Sequence, residues 1–94
     1  MAYMYILESA DGTFYTGSTW DIKRRLSEHN EGVGVNFTSK RLPVGLAYSE
    51  EYDGIGKAFL REKQIQGWSH AKKKALIQGE IEVLKIQSKK TFKA

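Results

Sequence analysis

The chain has no cysteine and a single proline, and no apolar run comes near the length of a membrane span. Without cysteine there is no disulfide to staple a small secreted fold, no thiolate zinc centre and no thiol nucleophile. The apolar stretch at Met1–Leu7 has no preceding positive region and meets Glu8 at once. It reads neither as a signal-peptide core nor as the roughly 20 apolar residues of a spanning helix, so the expected location is cytoplasmic. Internal repeats and low-complexity segments are also missing. What remains is 94 residues, 40% hydrophobic, 12% aromatic and 28% charged, the composition of one folded domain and not of a disordered chain. A domain this small buries only about two-thirds of its unfolded surface, so its stability margin is modest. Fifteen Lys and Arg against eleven Asp and Glu give a net charge of +4, which favours an anionic partner, nucleic acid first.

β-Favouring residues cluster at Tyr3–Leu7 and at Thr13–Thr16, and the Asp11-Gly12 pair between them predicts a tight antiparallel hairpin. Asp21 is placed to cap a helix over Ile22–Asn30, with Gly32 and Gly34 stopping it. Residues 32–40 read as an irregular loop, and Pro43 precedes a third strand over Val44–Glu51. Asp53 is in position to cap a helix over Ile55–Gln66 that ends at Gly67. Ser69 caps a last helix over His70–Gln78, and Ile81–Ile86 reads as a short strand or extended arm. The ββαβαα order predicts an α+β fold, a small three-stranded antiparallel sheet flanked by helices. One domain is expected over residues 1–86, followed by a basic tail at 87–94.

Three features resist a purely structural reading. The apolar stripe of the second helix is formed by Ile55, Ala58, Phe59 and Ile65, and at about 100° per residue Glu62 falls in its middle. A carboxylate there needs a cation, a set of hydrogen bonds or a pocket; a salt bridge to an arginine across the core is the structural alternative. On the first helix Ile22 and Leu26 mark the buried side, and Arg25 and His29 lie beside them, while Lys23, Arg24 and Glu28 form the solvated face. Tyr3, Tyr5 and Tyr15 crowd one hairpin. Strand parity decides what they can do together. A two-residue Asp11-Gly12 turn puts Tyr5 opposite Ser18 and away from Tyr15, whereas an odd-length connection or a bulge puts both tyrosines on one face.

These residues carry a pattern. Tyr3-Met4-Tyr5-Ile6-Leu7, then Phe14-Tyr15-Thr16-Gly17-Ser18-Thr19, then Lys23-Arg24-Arg25-Leu26-Ser27-Glu28-His29-Asn30 resembles a GIY-YIG nuclease domain. Thr38, Arg41 and Pro43, Ala58 with Arg61-Glu62, and Gly67-Trp68-Ser69 with Lys72-Lys73 continue the resemblance over residues 2–86. It is closest to small stand-alone bacterial members, which are similar to the nuclease module of the subunit that cuts branched DNA. The resemblance implies a metal-dependent endonuclease hydrolysing DNA phosphodiester bonds, structure-selective and linked to repair or recombination. Tyr5 and Tyr15 match the tyrosines of the two tripeptides, Arg25 the phosphate-binding arginine and Glu62 the metal-ligand glutamate; His29 aligns with a histidine present in many branches. The implied cofactor is a divalent metal, Mg2+ or alternatively Mn2+. The first tripeptide carries Tyr3 and Met4 in place of Gly and Ile, and the second has Thr16 in place of Ile. Ser18 stands where the repair branch has lysine, which leaves the identity of the general base open.

The chemistry asks for such a set. One carboxylate suits Mg2+, which keeps much of its hydration shell. The planar fork of Arg25 suits a phosphate, and Tyr5 serves as base only if its pKa falls well below about 10. Thr38, Lys40 and Arg41 in the loop, and Lys72, Lys73 and Lys74 after the last helix cap, are candidate contacts to DNA phosphates, or else solvated faces. Trp68 is either a base-stacking surface or a packing residue. Branched, flapped and single-stranded DNA all stand as substrates. Two other readings stay open: a nucleic-acid-binding module with weak or vestigial nuclease activity, and a scaffold that needs a protein partner for DNA affinity.

Overall fold

Strands β1 (Ala2–Ser9) and β2 (Phe14–Thr19) form the expected hairpin, but not through a two-residue turn. Ser9 N–H donates to the Thr13 carbonyl at 2.9 Å and Gly12 N–H to the Ser9 carbonyl at 2.9 Å, so Ala10, Asp11 and Gly12 make a three-residue connection. Gly12 takes the left-handed conformation, with φ of 84°, that this connection demands and that glycine adopts without strain. Asp11 locks the turn by accepting from Thr13 N–H (3.1 Å) and from its hydroxyl (2.6 Å). The odd length sets the register Tyr5↔Gly17 and Leu7↔Tyr15. Tyr5 and Tyr15 therefore share a face.

The computed structural model describes residues 1–32 and 40–79. The expectations for Gly34, for an irregular loop over 33–39, for a strand or arm over 81–86 and for the tail at 87–94 lie outside them. β3 (Val44–Tyr52) pairs with the other side of β1, giving a three-stranded antiparallel sheet in the order β2-β1-β3. As the central strand, β1 is buried on both faces, and its sequence is accordingly apolar at odd and even positions alike. Tyr5, Leu7 and Val44 pack with Tyr15, Ile22 and Leu26 under helix α1 (Ile22–Asn30). Met4 and Ile6 pack with Ile65, Leu76 and Trp68 under helices α2 (Ile55–Gln66) and α3 (His70–Ile77). The α+β architecture is the one the element order implies.

Two local expectations are corrected. Asp53 does not cap α2: the N-cap is Gly54, which makes no side-chain bond, and the Asp53 carboxylate pairs with Lys57 at 3.1 Å. Phe59 is not part of the buried stripe. It is 47% exposed, with the Lys63 ammonium over its ring, and the buried stripe runs Ala58, Glu62, Ile65. The caps at Asp21 and Ser69 form as expected, accepting from Arg24 N–H and Lys72 N–H.

Candidate active site

The Tyr15-x-Gly17 spacing has a steric cause. Tyr5 faces Gly17 across the ladder, and its ring lies over that glycine. A Cβ built on Gly17 would stand 2.6 Å from Tyr5 Cζ, closer than real Cβ atoms come, and 3.0 Å from Cε2. The missing side chain thus lets the phenol cross β2, an edge strand of the described sheet.

α1 supplies the groups above that phenol. The Asp21 cap fixes the helix start, and at its end Asn30 binds the β3 backbone as a further strand would, donating to Val44 O (3.0 Å) and accepting from Val44 N–H (2.9 Å). Between these two pins His29 is 1% exposed, with Nε2 3.5 Å from the Tyr5 hydroxyl. The His29 ring centroid is 5.3 Å from that of Tyr15 and 6.4 Å from that of Tyr5. Burial, and then the Arg25 charge, push the His29 pKa below its ordinary value, so the imidazole is neutral near pH 7. Burial pushes the Tyr5 phenol up to about 12 despite the opposing pull of Arg25. The Tyr15 phenol is also raised, by burial and then by the Glu62 charge. Arg25, one turn before His29, pairs through Nε with Glu28 at 3.2 Å.

Glu62 reaches the same edge from the other face. It is 9% exposed, its Oε1 accepts from Ser18 Oγ at 2.7 Å and its Oε2 from Gln66 Nε2 at 2.9 Å, with Lys63 Nζ at 3.7 Å. Ser18, which pairs with Met4, lies on the face opposite Tyr5, yet the Glu62 charge acts on both phenols. The two faces meet at the rim of β2. A groove of ≈ 430 Å³ opens there, lined among others by Ser18, Trp20, Arg24, Arg25, Glu28 and Ile55. The arginine–carboxylate pair that would have made Glu62 merely structural is formed one residue earlier. Arg61 binds Glu50 through Nε (2.9 Å) and a second nitrogen (3.2 Å), and Tyr48 and Tyr52 donate to the same carboxylate at 2.7 and 2.6 Å.

Whether these residues suit a divalent metal turns on Glu62. Among the described residues no group of three His, Asp or Glu side chains converges as a cage. Each Glu62 oxygen accepts one hydrogen bond from protein and keeps a lone pair. The set fits an ion that retains most of its waters and takes further oxygens from a phosphate, as Mg2+ does, and does not fit tetrahedral zinc.

Tyr5, Tyr15, Arg25, His29 and Glu62 are thus brought to one edge. Of these five only Arg25 lines the groove itself; Lys40, Arg41, Lys72, Lys73 and Lys74 do not line it either, and Thr38 lies outside the described residues. Arg41 pairs with Asp11 at 3.3 Å, Lys72 sits over the Trp68 ring at 4.4 Å, and burial lowers the pKa of Lys73. Trp68 packs on the core, with Arg61 also on its ring. Ser18, Gln66, Asn30 and Trp20 carry no sequence signal as strong as a charge inside an apolar stripe. Ser18 stands out only by departing from the lysine of the repair branch, Trp20 and Asn30 by lying next to the motif segments, and Gln66 by lying four residues after Glu62.

The three-stranded antiparallel sheet with its helices is a GIY-YIG-like fold, and the chain belongs to that family: the model of the GIY-YIG catalytic domain matches residues 1–75. Among individual proteins it is 45% identical over 76 residues to a UPF0213 protein of Halobacterium salinarum, covering 81% of this chain and 99% of that one. It is 54% identical over 61 residues to a UPF0213 protein of Streptococcus agalactiae, covering 65% and 69%. The solution NMR structure of the UPF0213 protein from Bacillus halodurans matches with a TM-score of 0.53 and 35% identity, over 83% of this chain and 84% of that one. Membership supports an endonuclease-like function, in a family that generally uses a divalent metal. No helix among the described residues is long and apolar enough to cross a membrane.

Proposed function

We propose that the chain is a Mg2+-dependent endonuclease that hydrolyses phosphodiester bonds in branched, flapped or single-stranded DNA, in the cytoplasm and in the service of repair or recombination. The observation that carries this reading is the meeting of Tyr5, Tyr15, Arg25, His29 and Glu62 at one rim of the sheet. Glu62, held by Ser18 and Gln66, would hold the ion. The bound ion supplies Lewis acidity at the phosphate and stabilises charge on the leaving sugar oxygen. Arg25 neutralises the non-bridging oxygens and, through its planar fork, fixes the phosphate's orientation. With a phenol pKa raised to about 12, Tyr5 is no standing phenolate at neutral pH. It works as a relay: its oxygen takes the proton of the attacking water while its own proton passes to neutral His29 at Nε2, 3.5 Å away. The hydroxide so formed attacks phosphorus, the bond to the sugar oxygen breaks, and imidazolium returns its proton to solvent. Tyr15 positions the water beside this relay.

The test is cleavage of labelled branched, flapped and single-stranded DNA with Mg2+ or Mn2+. Expected is metal-dependent cleavage that EDTA abolishes and that Glu62→Gln reduces by about 100-fold or more. A Glu62→Ala protein that cuts as fast as the parent would end the assignment.

A further inference from the structure

We infer that Trp20 is a stacking platform for an unpaired nucleobase next to the scissile phosphate, which makes single-stranded or flapped DNA, and not continuous duplex, the substrate class of this site. The inference rests on the nuclease reading and adds to it what the groove selects. Exposed hydrophobic residues are ordinary when scattered, so exposure alone carries nothing. The position does. Trp20 is 58% exposed and lines the same ≈ 430 Å³ groove as Arg25 and Ser18, and the Ser18 hydroxyl is the one that holds Glu62, at 2.7 Å. An indole, the phosphate-suited arginine and the hydroxyl that holds the carboxylate therefore line one groove. Ile55, the first residue of α2, adds apolar surface to it. The acids in the groove are engaged from within: Asp21 caps the Arg24 N–H at 3.1 Å, and Glu28 bridges Arg24 and Arg25 at 3.5 and 3.2 Å. The Arg24 side chain is 78% exposed, leaving it able to reach a neighbouring phosphate. Aromatic face, aliphatic wall and paired guanidiniums match one nucleotide unit, base beside phosphate. A base inside a duplex has both faces covered by its neighbours, so only an unstacked one can present a face to the indole. The chain's other tryptophan is not available for this, since Trp68 packs on the core beneath Arg61 and Lys72.

Intrinsic tryptophan fluorescence reads this without cleavage. In a Glu62→Gln background, titration with a single-stranded oligodeoxynucleotide is expected to quench emission, continuous duplex of the same sequence is expected not to, and Trp20→Phe is expected to remove the response. On a flapped substrate, Trp20→Ala is expected to raise KM by about tenfold or more with kcat within a factor of about two, and Trp20→Phe to recover most of the loss. With the parent protein, an abasic nucleotide beside the cleaved bond is expected to reproduce the Trp20→Ala effect. Equal quenching by duplex, no quenching, or an unchanged KM in Trp20→Ala overturns the inference; the last result would also follow if Trp20 served a protein partner. The two readings fail separately. Quenching by single strands without cleavage on any substrate sinks the nuclease and leaves the platform, whereas Glu62-dependent cleavage indifferent to Trp20 does the reverse.

Discussion

Gly17 and His29 show how single residues set the chemistry. Gly17 is required because Tyr5, 1% exposed, has nowhere to go when a methyl group is placed 2.6 Å from its Cζ. Gly17→Ala is expected to cost about 1–3 kcal/mol in urea unfolding, the usual range for overpacking. Cleavage should suffer more in kcat than in KM, because the displaced phenol leaves the relay and not the phosphate contacts. Unchanged kcat in a folded Gly17→Ala protein would remove Tyr5 from the mechanism. In the proposed relay His29 would fix the pH dependence. Its folded pKa lies below 6.5, through burial first and Arg25 second. Cleavage should therefore fall on the acid side with an inflection below that value, and His29→Ala should lose both rate and inflection. The linked stability has the same sign. Between the two values the unfolded chain binds more protons, so the contribution is complete above about 6.5 and is lost as pH falls through the folded pKa. Tyr5, raised to about 12, adds no phenolate-driven gain at moderately alkaline pH. At this scale the sequence was legible wherever a residue contradicted its surroundings, as Glu62 contradicts its apolar stripe. It was not legible where parity decided, because Asp11-Gly12 looks like a complete turn and nothing local announces that Ala10 belongs to it.

At the scale of elements, α2 has to hold Glu62 at the rim while the rest of its length packs on Met4 and Ile6. The fastening is Glu50 on β3, whose carboxylate accepts from Arg61, Tyr48 and Tyr52. Burial works to raise the Glu50 pKa, yet those three donors outweigh it and hold it below the usual carboxylate value. Its stabilisation is thus present above the unfolded pKa of about 4.5 and disappears as pH falls through the folded one. The two partners are only partly exposed, 23% and 18%, so Glu50→Gln is expected to cost about 1–3 kcal/mol, a melting temperature lower by about 4–8 °C per kcal/mol for a domain of this size. A thermal melt at pH 7 and again near pH 3 checks it: the difference between parent and variant should shrink in acid. Element existence and order were readable from caps and apolar runs, since Asp21 and Ser69 do what their residue types predict. The misreadings share a cause. Asp53 and Phe59 have the right chemistry for a cap and a core position, but each finds a lysine four residues on, Lys57 and Lys63, and settles on the surface with it.

For the molecule as a whole, the question is how the net charge of +4 is distributed. Many of the described cations are already spoken for: Arg61 by Glu50, Arg41 by Asp11, Lys57 by Asp53, and Lys72 by the face of Trp68. Lys73 is half-buried, its pKa lowered by burial. None of these lines the groove, where Arg24 and Arg25 stand and share the single carboxylate of Glu28. In the sequence the lysine run at 72–74 stands as a candidate phosphate contact or else a solvated face, and Arg24 as surface, because linear clustering is visible in a sequence and convergence at a rim is not. Two phosphate contacts on a single strand correspond to a slope of about −1.4 in the logarithm of affinity against the logarithm of salt, at about 0.7 per contact. Replacing Lys72, Lys73 and Lys74 together by alanine should leave that slope unchanged, while Arg24→Ala should bring it to about −0.7. Fluorescence titrations of the Glu62→Gln protein between 50 and 300 mM salt, roughly the range over which such slopes are resolved, decide the matter. A slope of about −3 or steeper that collapses in the lysine variant would mean that DNA tracks α3 and not the groove. The weak expected slope also accounts for how a domain this small could choose a substrate at all. With so little sequence-independent attraction, the proposed reading requires a base on Trp20 and a phosphate on Arg25 to supply the affinity together, so that strand state, not charge, would select what is cut.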